Sequence, residues 1–182
     1  MTNIRMFSFK EKVDEAIQLL REHEPPEGYF LAFSDGKDSV VIYDLAVKAG
    51  VKFDAHYNNT QIDPPELRIF IRRNYPDTDW IPPKKTMFEL IEKNRMLPTR
   101  VMRFCCVHLK EHSGMGRVLI TGIRGAESIR RAKRKKVEKA INKIGTTFVH
   151  AIFDWTDEEV WQYIRSNNIP YCKLYDEGWT RI

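Results

Sequence analysis

The sequence is poor in cysteine and has no long apolar run. It contains only three cysteines in 182 residues, which is too few for the disulfide framework of a secreted domain. No apolar segment approaches the roughly twenty residues that span a bilayer, and the N-terminus lacks the charged-then-apolar pattern of a signal peptide. These absences predict a cytoplasmic protein with no membrane partner.

The chain also has no linker, repeat or low-complexity segment. With 42% hydrophobic and 30% charged residues, it can bury a real core, and its length predicts one domain over 1–182 with an N-terminal helical extension at 1–27. The formal charge of +5 is modest, and much of the excess lies in the run from Arg130 to Lys136. This excess favours an anionic ligand or partner.

Hydrophobic periodicity and capping signals predict strands that alternate with helices. Gly50 is the predicted C-cap of one helix, and Thr86 with Glu89 and Thr156 with Glu159 are the predicted capping boxes of two others. Predicted strands begin at Phe30 and cover 51–57, 80–81, 117–121 and 147–153; predicted helices cover 9–20, 40–49, 65–73, 87–94, a basic segment from Ala126 to Asn142, and 157–166. This order is typical of an α/β, doubly wound parallel sheet with helices on both faces. The ligand crevice of such a sheet lies at the carboxyl ends of the strands.

The first predicted strand runs directly into the hexapeptide SDGKDS, from Ser34 to Ser39. This is not a Walker A loop, because Leu31 stands where that motif requires glycine. Backbone N–H groups at a helix N-terminus still bind anions, Lys37 adds positive charge, and Gly36 permits close approach of a ligand. We therefore interpret the hexapeptide as a nucleotide phosphate loop rather than as a plain turn in which Ser34 caps a helix.

Asp35 is the unusual residue of this loop. A carboxylate within a phosphate loop repels the ligand unless it turns away or meets a cation such as Mg²⁺. The sequence therefore leaves Mg²⁺ open as a cofactor.

Four ordered blocks carry a resemblance to a known family. They are SDGKDS, TGIRGAESIRRA from Thr121, FDWTDEEVWQYI from Phe153 and IPYCKLYDEGWTRI from Ile169. Together they resemble the phosphoadenosine phosphosulfate (PAPS) reductase family of the adenine nucleotide α-hydrolase-like superfamily, in which the first block is a pyrophosphate loop, usually SGGKDS. The resemblance implies a mainly five-stranded parallel sheet that binds an adenine sulfonucleotide, either PAPS or adenylyl sulfate.

The resemblance also implies roles for particular residues. Arg124 and Arg130 resemble the arginines beside the phosphosulfate, and Glu127 is expected to orient them. Guanidinium forks suit sulfate and phosphate oxygens. The residues expected to bind the nucleotide are Ser34, Asp35, Gly36, Lys37, Asp38, Ser39, Asn59, Thr60, Gly122 and Glu127, with adenine near Asn59 and Thr60.

Cys105 and Cys106 are the candidate thiol residues. Their segment resembles the one that supplies two thiolates to a 4Fe-4S cluster in the adenylylsulfate-reducing branch, where a later Cys-x-x-Cys supplies the other two. That later pair is expected beyond Ile182, so the cluster would be completed by cysteines outside this sequence. A zinc site with His108 or Cys172 and a structural role at a helix start are the alternatives.

The resemblance implies an oxidoreductase of sulfur metabolism that reduces the sulfonucleotide to sulfite, with thioredoxin or glutaredoxin as reductant. The catalytic candidates are then Cys105, Cys106, Arg124 and Arg130. One alternative is an ATP-pyrophosphatase-type sulfurtransferase acting on nucleic acid, with the segment from Arg130 to Lys139 as its electrostatic footprint. Another is a nucleotide-binding module without turnover, because the cysteine-bearing tail of the reductases is not in this sequence.

Overall fold

The computed structural model of the protein describes residues 8–99, 101–110, 112–140 and 145–182. Seven α-helices lie in these ranges: α1 (Phe9–Glu22), α2 (Lys37–Ala49), α3 (Pro65–Asn74), α4 (Met87–Asn94), α5 (Phe104–Leu109), α6 (Ile129–Ala132) and α7 (Asp157–Ser166). Six strands accompany them: β1 (Tyr29–Ala32), β2 (Phe53–Asn58), β3 (Asp79–Ile81), β4 (Val118–Ile120), β5 (Val137–Lys139) and β6 (Thr147–Val149). None of the helices described is long and apolar enough to cross a membrane.

The strands form one sheet in the order β3-β2-β1-β4-β6-β5. Five of them run parallel, with β1 between β2 and β4. These five are the strands that periodicity predicts, so the doubly wound α/β architecture is confirmed. Their carboxyl ends share one edge, where the segments after β1, β2, β4 and β6 emerge.

The sixth strand corrects the sequence prediction of a basic helix from Ala126 to Asn142. Within the described part of this segment, α6 ends at Ala132 and β5 follows, antiparallel to β6, with Val137 opposite Val149. A single helix would stack the cations of this run three and four residues apart, where like charges repel. Pairing with β6 supplies a backbone ladder instead, and tertiary contact outweighs the helical propensity of Lys, Glu and Ala. The predicted end at Asn142 falls outside the described residues.

Helix ends follow the sequence signals closely. Thr86 and Thr156 begin α4 and α7 with complete capping boxes, each paired with the glutamate three residues later. Gly50 ends α2 in the left-handed region at φ 70, and its N–H donates to the Val47 carbonyl. Both capping boxes and the glycine cap are therefore confirmed.

The main core holds β1 rigidly, and so fixes the start of the loop that follows it. Buried residues of α1, α2 and α7 pack with the central strands in one cluster. The Tyr29 hydroxyl donates to the Leu20 carbonyl at 2.6 Å, which ties α1 to β1. Trp155 and Tyr163 are buried and pack edge-on against Phe9 at centroid distances of 5.3 and 6.4 Å.

Candidate functional site

The loop between β1 and α2 is held by its own backbone and by the C-terminal segment. Gly36 precedes α2 in an extended conformation, and both the amide and the hydroxyl of Ser39 donate to its carbonyl at 2.9 Å. The Lys37 amide donates to the Tyr175 hydroxyl at 2.8 Å. The N-terminal end of α2 therefore faces the loop, where its partial positive charge favours an anion.

A cavity of about 250 Å³ opens beside this loop at the carboxyl edge of the sheet. Five of the six loop residues line it, with Asp35 as the exception. The exit of β4 lines a second side, from Thr121 to Ile123, and the C-terminal segment lines a third with Tyr175, Arg181 and Ile182. Segments far apart in sequence therefore build one compact pocket around the predicted phosphate loop.

Asp35 turns away from the cavity and into the protein. Its side chain is fully buried, and neither carboxylate oxygen has a hydrogen-bond partner among the described residues. The backbone is in the left-handed region at φ 62, where glycine is favoured. Burial raises the pKa of Asp35 to about 8, so the group is neutral at pH 7. The carboxyl group therefore brings little negative charge to the cavity at that pH.

Arg124 is buried next to the loop and pairs with two carboxylates. It is 4% exposed, and it donates to Asp38 Oδ1 at 2.7 Å and to Asp157 Oδ1 at 2.8 Å. Lys37 Nζ also lies 3.1 Å from Asp157 Oδ1. Burial alone would raise the pKa of Asp157, but Lys37 and Arg124 outweigh it and lower that pKa. Arg124 therefore uses its guanidinium group to join the start of α2, through Asp38, to the start of α7, through Asp157.

The arginines that line the cavity are Arg131 and Arg181. Both pair with Glu127, Arg131 with Oε2 and Arg181 with Oε1, the latter at 2.7 Å. Glu127 therefore pairs with Arg131 and Arg181, and not with the side chains of Arg124 and Arg130 that it was expected to orient. The cavity-lining member of the Arg130–Arg131 pair is Arg131. Arg130 is exposed and is not part of the cavity lining.

Gly122 lets α2 approach the exit of β4. A Cβ built at Gly122 would lie 2.8 Å from the Asp38 Cβ and 3.0 Å from the Asp38 carbonyl carbon. Any side chain here would push the start of α2 away from the cavity. The glycine is therefore required by close packing within the site.

Asn59 and Thr60 follow β2 at the same edge of the sheet but do not line the cavity. Thr60 is buried, and its hydroxyl donates to Asp63 at 2.6 Å. Asn59 accepts a hydrogen bond from the Gln61 amide at 3.2 Å. Both side chains therefore stabilise the turn after β2, and their role in holding adenine stays a prediction.

The family assignment follows from comparison with known proteins. Residues 28–182 match the phosphoadenosine phosphosulfate reductase domain. The chain belongs to this family. It is 28% identical over 171 residues to an adenosine 5′-phosphosulfate reductase from Oceanobacillus iheyensis, covering 83% of the chain and 67% of that protein. It is also 27% identical over 172 residues to a probable FAD synthase from Schizosaccharomyces pombe, covering 91% of the chain and 62% of that protein.

A solved structure agrees with this assignment at the level of the fold. The PAPS reductase from Candida auris, in a phosphate complex, superimposes with a TM-score of 0.69 at 18% identity, covering 97% of this chain and 95% of that one. The resemblance read from the four sequence blocks is therefore confirmed.

The described cysteines do not complete the metal site that the PAPS reductase resemblance implies. Cys105 and Cys106 lie on α5 with their Sγ atoms 3.9 Å apart, and neither lines the cavity. Burial and the neighbouring Cys106 raise the pKa of the Cys105 thiol. Cys172 is buried in a separate cluster with Leu67 and Leu174. No group of three or more His, Cys, Asp or Glu side chains in the described residues is arranged to hold a metal ion.

Sequence reasoning missed the C-terminal wall of this PAPS reductase-family site. Tyr175 and Arg181 lie in the block IPYCKLYDEGWTRI, which carried the resemblance but contributed no predicted site residue. The block itself contains an arginine and several aromatic residues, and these residue types within a family motif were the available signal. Its proximity to the phosphate loop depends on the tertiary fold.

Proposed function

We propose that this protein binds an adenine sulfonucleotide in the cavity and presents it for thiol-dependent reduction to sulfite. The observation that carries the proposal is the cavity itself, where the N-terminus of α2, Lys37 and two arginines meet. Such an arrangement suits the oxygens of phosphate and sulfate groups. The family assignment and the similarity to an adenosine 5′-phosphosulfate reductase support a sulfonucleotide as the anion.

The cavity residues would bind and orient this anion. Arg131 and Arg181 already lie at the cavity with Glu127 between them, so their guanidinium groups are held near the ligand before it arrives. Lys37 and Asp157 hold the other side of the loop. Preordered cations of this kind reduce the entropy lost on binding.

The chemistry would need two thiols. A thiolate attacks the sulfur, the bond between sulfur and the phosphate oxygen breaks, the adenine nucleotide leaves and an S-sulfonate forms. A second thiol, from a thioredoxin-type reductant, then attacks the sulfonated thiol, which releases sulfite and leaves a disulfide. Cys105 and Cys106 do not line the cavity. In this proposal the cavity residues therefore bind the nucleotide and do not supply the attacking thiolate. A 4Fe-4S cluster would need ligands beyond the described residues.

Calorimetry with adenylyl sulfate, PAPS, ATP and adenosine 3′,5′-bisphosphate tests the proposal. We expect at least one sulfonucleotide to bind, and we expect Arg131→Ala to weaken it by roughly 10- to 100-fold, because a charge-assisted contact is lost. Arg130→Ala is the matched control, since it removes the same charge one residue away and outside the cavity. Absence of binding by all four nucleotides, or equal effects of the two variants, would contradict the proposal.

A second candidate function is nucleotidyl transfer from ATP with release of pyrophosphate. It is favoured by the similarity to the probable FAD synthase, which covers more of the chain than the reductase match does. Pyrophosphate and FAD formed from ATP and FMN, without sulfite from adenylyl sulfate and a thiol reductant, would select it over reduction.

The nucleic-acid alternative has less support from the structure. Much of its expected footprint is ion-paired: Arg131 with Glu127, Arg134 with Glu138, and Lys136 with Glu15 and Asp154. Pyrophosphate release that depends on tRNA or DNA would support it. Nucleotide binding with no product in any of these assays would support the module without turnover.

A further inference from the structure

A buried histidine lies directly behind the cavity wall and has no role in the proposal above. His150 follows β6 and is fully buried. Its Nδ1 lies 2.7 Å from the hydroxyl oxygen of Thr121, and Thr121 lines the cavity. The imidazole therefore forms a hydrogen bond with a residue of the cavity wall.

The opposite side of the imidazole faces a carboxylate. His150 Nε2 lies 3.6 Å from Glu138 Oε1, which is too long for a hydrogen bond but close enough for a strong electrostatic preference. Glu138 is itself paired with Arg134, and the Phe148 and Phe153 rings stack beside the imidazole at centroid distances of 5.9 and 6.4 Å. The ring is therefore enclosed by one ion pair and two aromatic side chains.

These surroundings determine the protonation of the ring. Burial and the nearby Arg134 lower the pKa of His150 to about 4, while Glu138 opposes that shift and Arg131 adds to it. The neutral imidazole then carries one N–H donor and one acceptor nitrogen. An N–H at Nε2 faces the carboxylate favourably, whereas a lone pair there would be repelled by it. The proton is therefore on Nε2, and Nδ1 is an acceptor.

The hydroxyl of Thr121 has only one proton, and an acceptor at Nδ1 uses it. Thr121 Oγ1 then has only lone pairs left for a ligand in the cavity that this residue lines. A lone pair repels a phosphate or sulfate oxygen, but it accepts a hydrogen bond from a ligand hydroxyl. In a nucleotide whose phosphate lies on the loop from Ser34 to Ser39, the adjoining group that carries hydroxyls is the ribose.

We propose that His150 is a positioning residue that sets Thr121 as a hydrogen-bond acceptor for a ribose hydroxyl of the bound nucleotide. The inference rests on the proposed function, because it requires a nucleotide in the cavity. It assigns a specificity role to Thr121 that the sequence blocks did not suggest. It also explains why a neutral histidine is buried at this exit of the sheet.

Calorimetry with deoxynucleotides tests the contact. If the wild type binds adenylyl sulfate or ATP, we expect the 2′-deoxy or the 3′-deoxy analogue to bind roughly 3- to 10-fold more weakly. If it binds a 3′-phosphorylated nucleotide such as PAPS, the 2′-deoxy analogue is the test, because the 3′ oxygen carries no hydroxyl proton. This loss should disappear in Thr121→Val, which removes the hydroxyl at nearly constant shape, and should persist in Thr121→Ser. Thr147→Val is the matched control on β6, since its side chain does not line the cavity. A deoxy penalty that is unchanged in Thr121→Val, or a penalty for the inosine analogue in place of the deoxy analogues, would overturn the inference.

Nitrogen NMR of the histidine rings tests the protonation state that the inference requires. We expect the His150 signal to show the Nε2–H tautomer across pH 5 to 9, with an N–H correlation that disappears in Glu138→Gln or moves to Nδ1. A wild-type Nδ1–H tautomer would overturn the inference even if nucleotides bind. Failure of every nucleotide to bind would instead overturn the proposed function, and the tautomer would still be measurable.

Discussion

At the scale of single residues, the most unusual feature is the carboxyl group of Asp35. It combines full burial, no hydrogen-bond partner among the described residues and a left-handed backbone. Each of these features opposes folding, yet none of them obstructs the cavity. Because Asp35 does not line the cavity, its cost falls on stability and not on the shape of the site.

The raised pKa of Asp35 predicts a specific dependence of stability on pH. Between the unfolded value near 3.8 and the folded value of about 8, the folded state holds a proton that the unfolded state has released. Unfolding free energy should therefore fall as pH rises through this range and level off above it. Chemical denaturation of the wild type and of Asp35→Asn measures this. The variant should lose about 3–5 kcal/mol less between pH 5 and pH 9, because each pKa unit corresponds to about 1.4 kcal/mol.

Asp35→Gly separates the backbone from the charge. It should gain roughly a further 1 kcal/mol at every pH, because glycine adopts positive φ without strain. If both variants follow the wild-type pH profile, Asp35 is not the group responsible. Nucleotide affinity at pH 7 should be unchanged in Asp35→Asn, since the wild-type group is neutral there.

Arg124 makes a different prediction at the residue scale. Arg124→Ala should lower the unfolding free energy by about 1–3 kcal/mol, because Asp38 and Asp157 lose a buried partner while remaining partly solvated. Arg130→Ala should change it by less than about 0.5 kcal/mol. Urea denaturation of the two variants gives the comparison, and equal stabilities would contradict a bracing role for Arg124.

Two adjacent arginines also show what sequence reasoning cannot decide. The motif places a cation at the anion site, but on a four-residue helix such as α6, neighbouring side chains point in directions about 100° apart. Which of Arg130 and Arg131 faces the cavity is decided by the packing of α6, not by residue type. The family resemblance pointed to Arg130, whereas the residue of this pair that lines the cavity is Arg131.

At the scale of elements, the predictions that held depend on local chemistry. The five parallel strands are predicted by alternating or continuous apolar residues. The capping boxes at Thr86 and Thr156 are predicted by a glutamate three residues later. β5 escaped prediction because its three residues include Glu138 and Lys139, which favour helices when considered alone. Its conformation depends on β6, a partner that comes later in the chain.

The capping box of α7 supports a prediction for this element. The Thr156 hydroxyl accepts a hydrogen bond from the Glu159 amide at 3.2 Å. Thr156→Ala should lower the unfolding free energy by about 1 kcal/mol. Thr156→Ser keeps the hydroxyl and should retain most of the stabilisation by the cap. Thermal and urea unfolding of the two variants provide the measurement, and an Ala variant as stable as the Ser variant would show that the cap is not used.

At the scale of the whole molecule, the candidate site joins parts of the chain that are distant in sequence. Arg181 contacts Glu127, Tyr175 contacts the Lys37 amide, and all of these residues line the same cavity. Formation of the cavity therefore requires that the segment beginning at Lys173 packs against the loop after β1. No local pattern predicts such a contact, which is why the C-terminal wall was missed.

This arrangement predicts coupled protection by a ligand. Hydrogen exchange in the presence of a bound adenine nucleotide should slow together in residues 34–39 and 173–182, because both segments line the cavity. Amides of α4 should exchange at the same rate with and without nucleotide. Protection of the loop alone would show that the C-terminal wall does not respond to the ligand.

The hydrogen bond between Tyr175 and the Lys37 amide has a consequence for ligand selectivity. The phenol occupies a backbone donor at the start of α2, the kind of donor that an incoming anion seeks. A small ion such as inorganic phosphate gains too few contacts to displace it, whereas a nucleotide gains contacts along the whole pocket. The tyrosine hydroxyl would thus compete with small anions for this backbone donor. Tyr175→Phe should therefore raise the affinity for inorganic phosphate relative to that for a nucleotide.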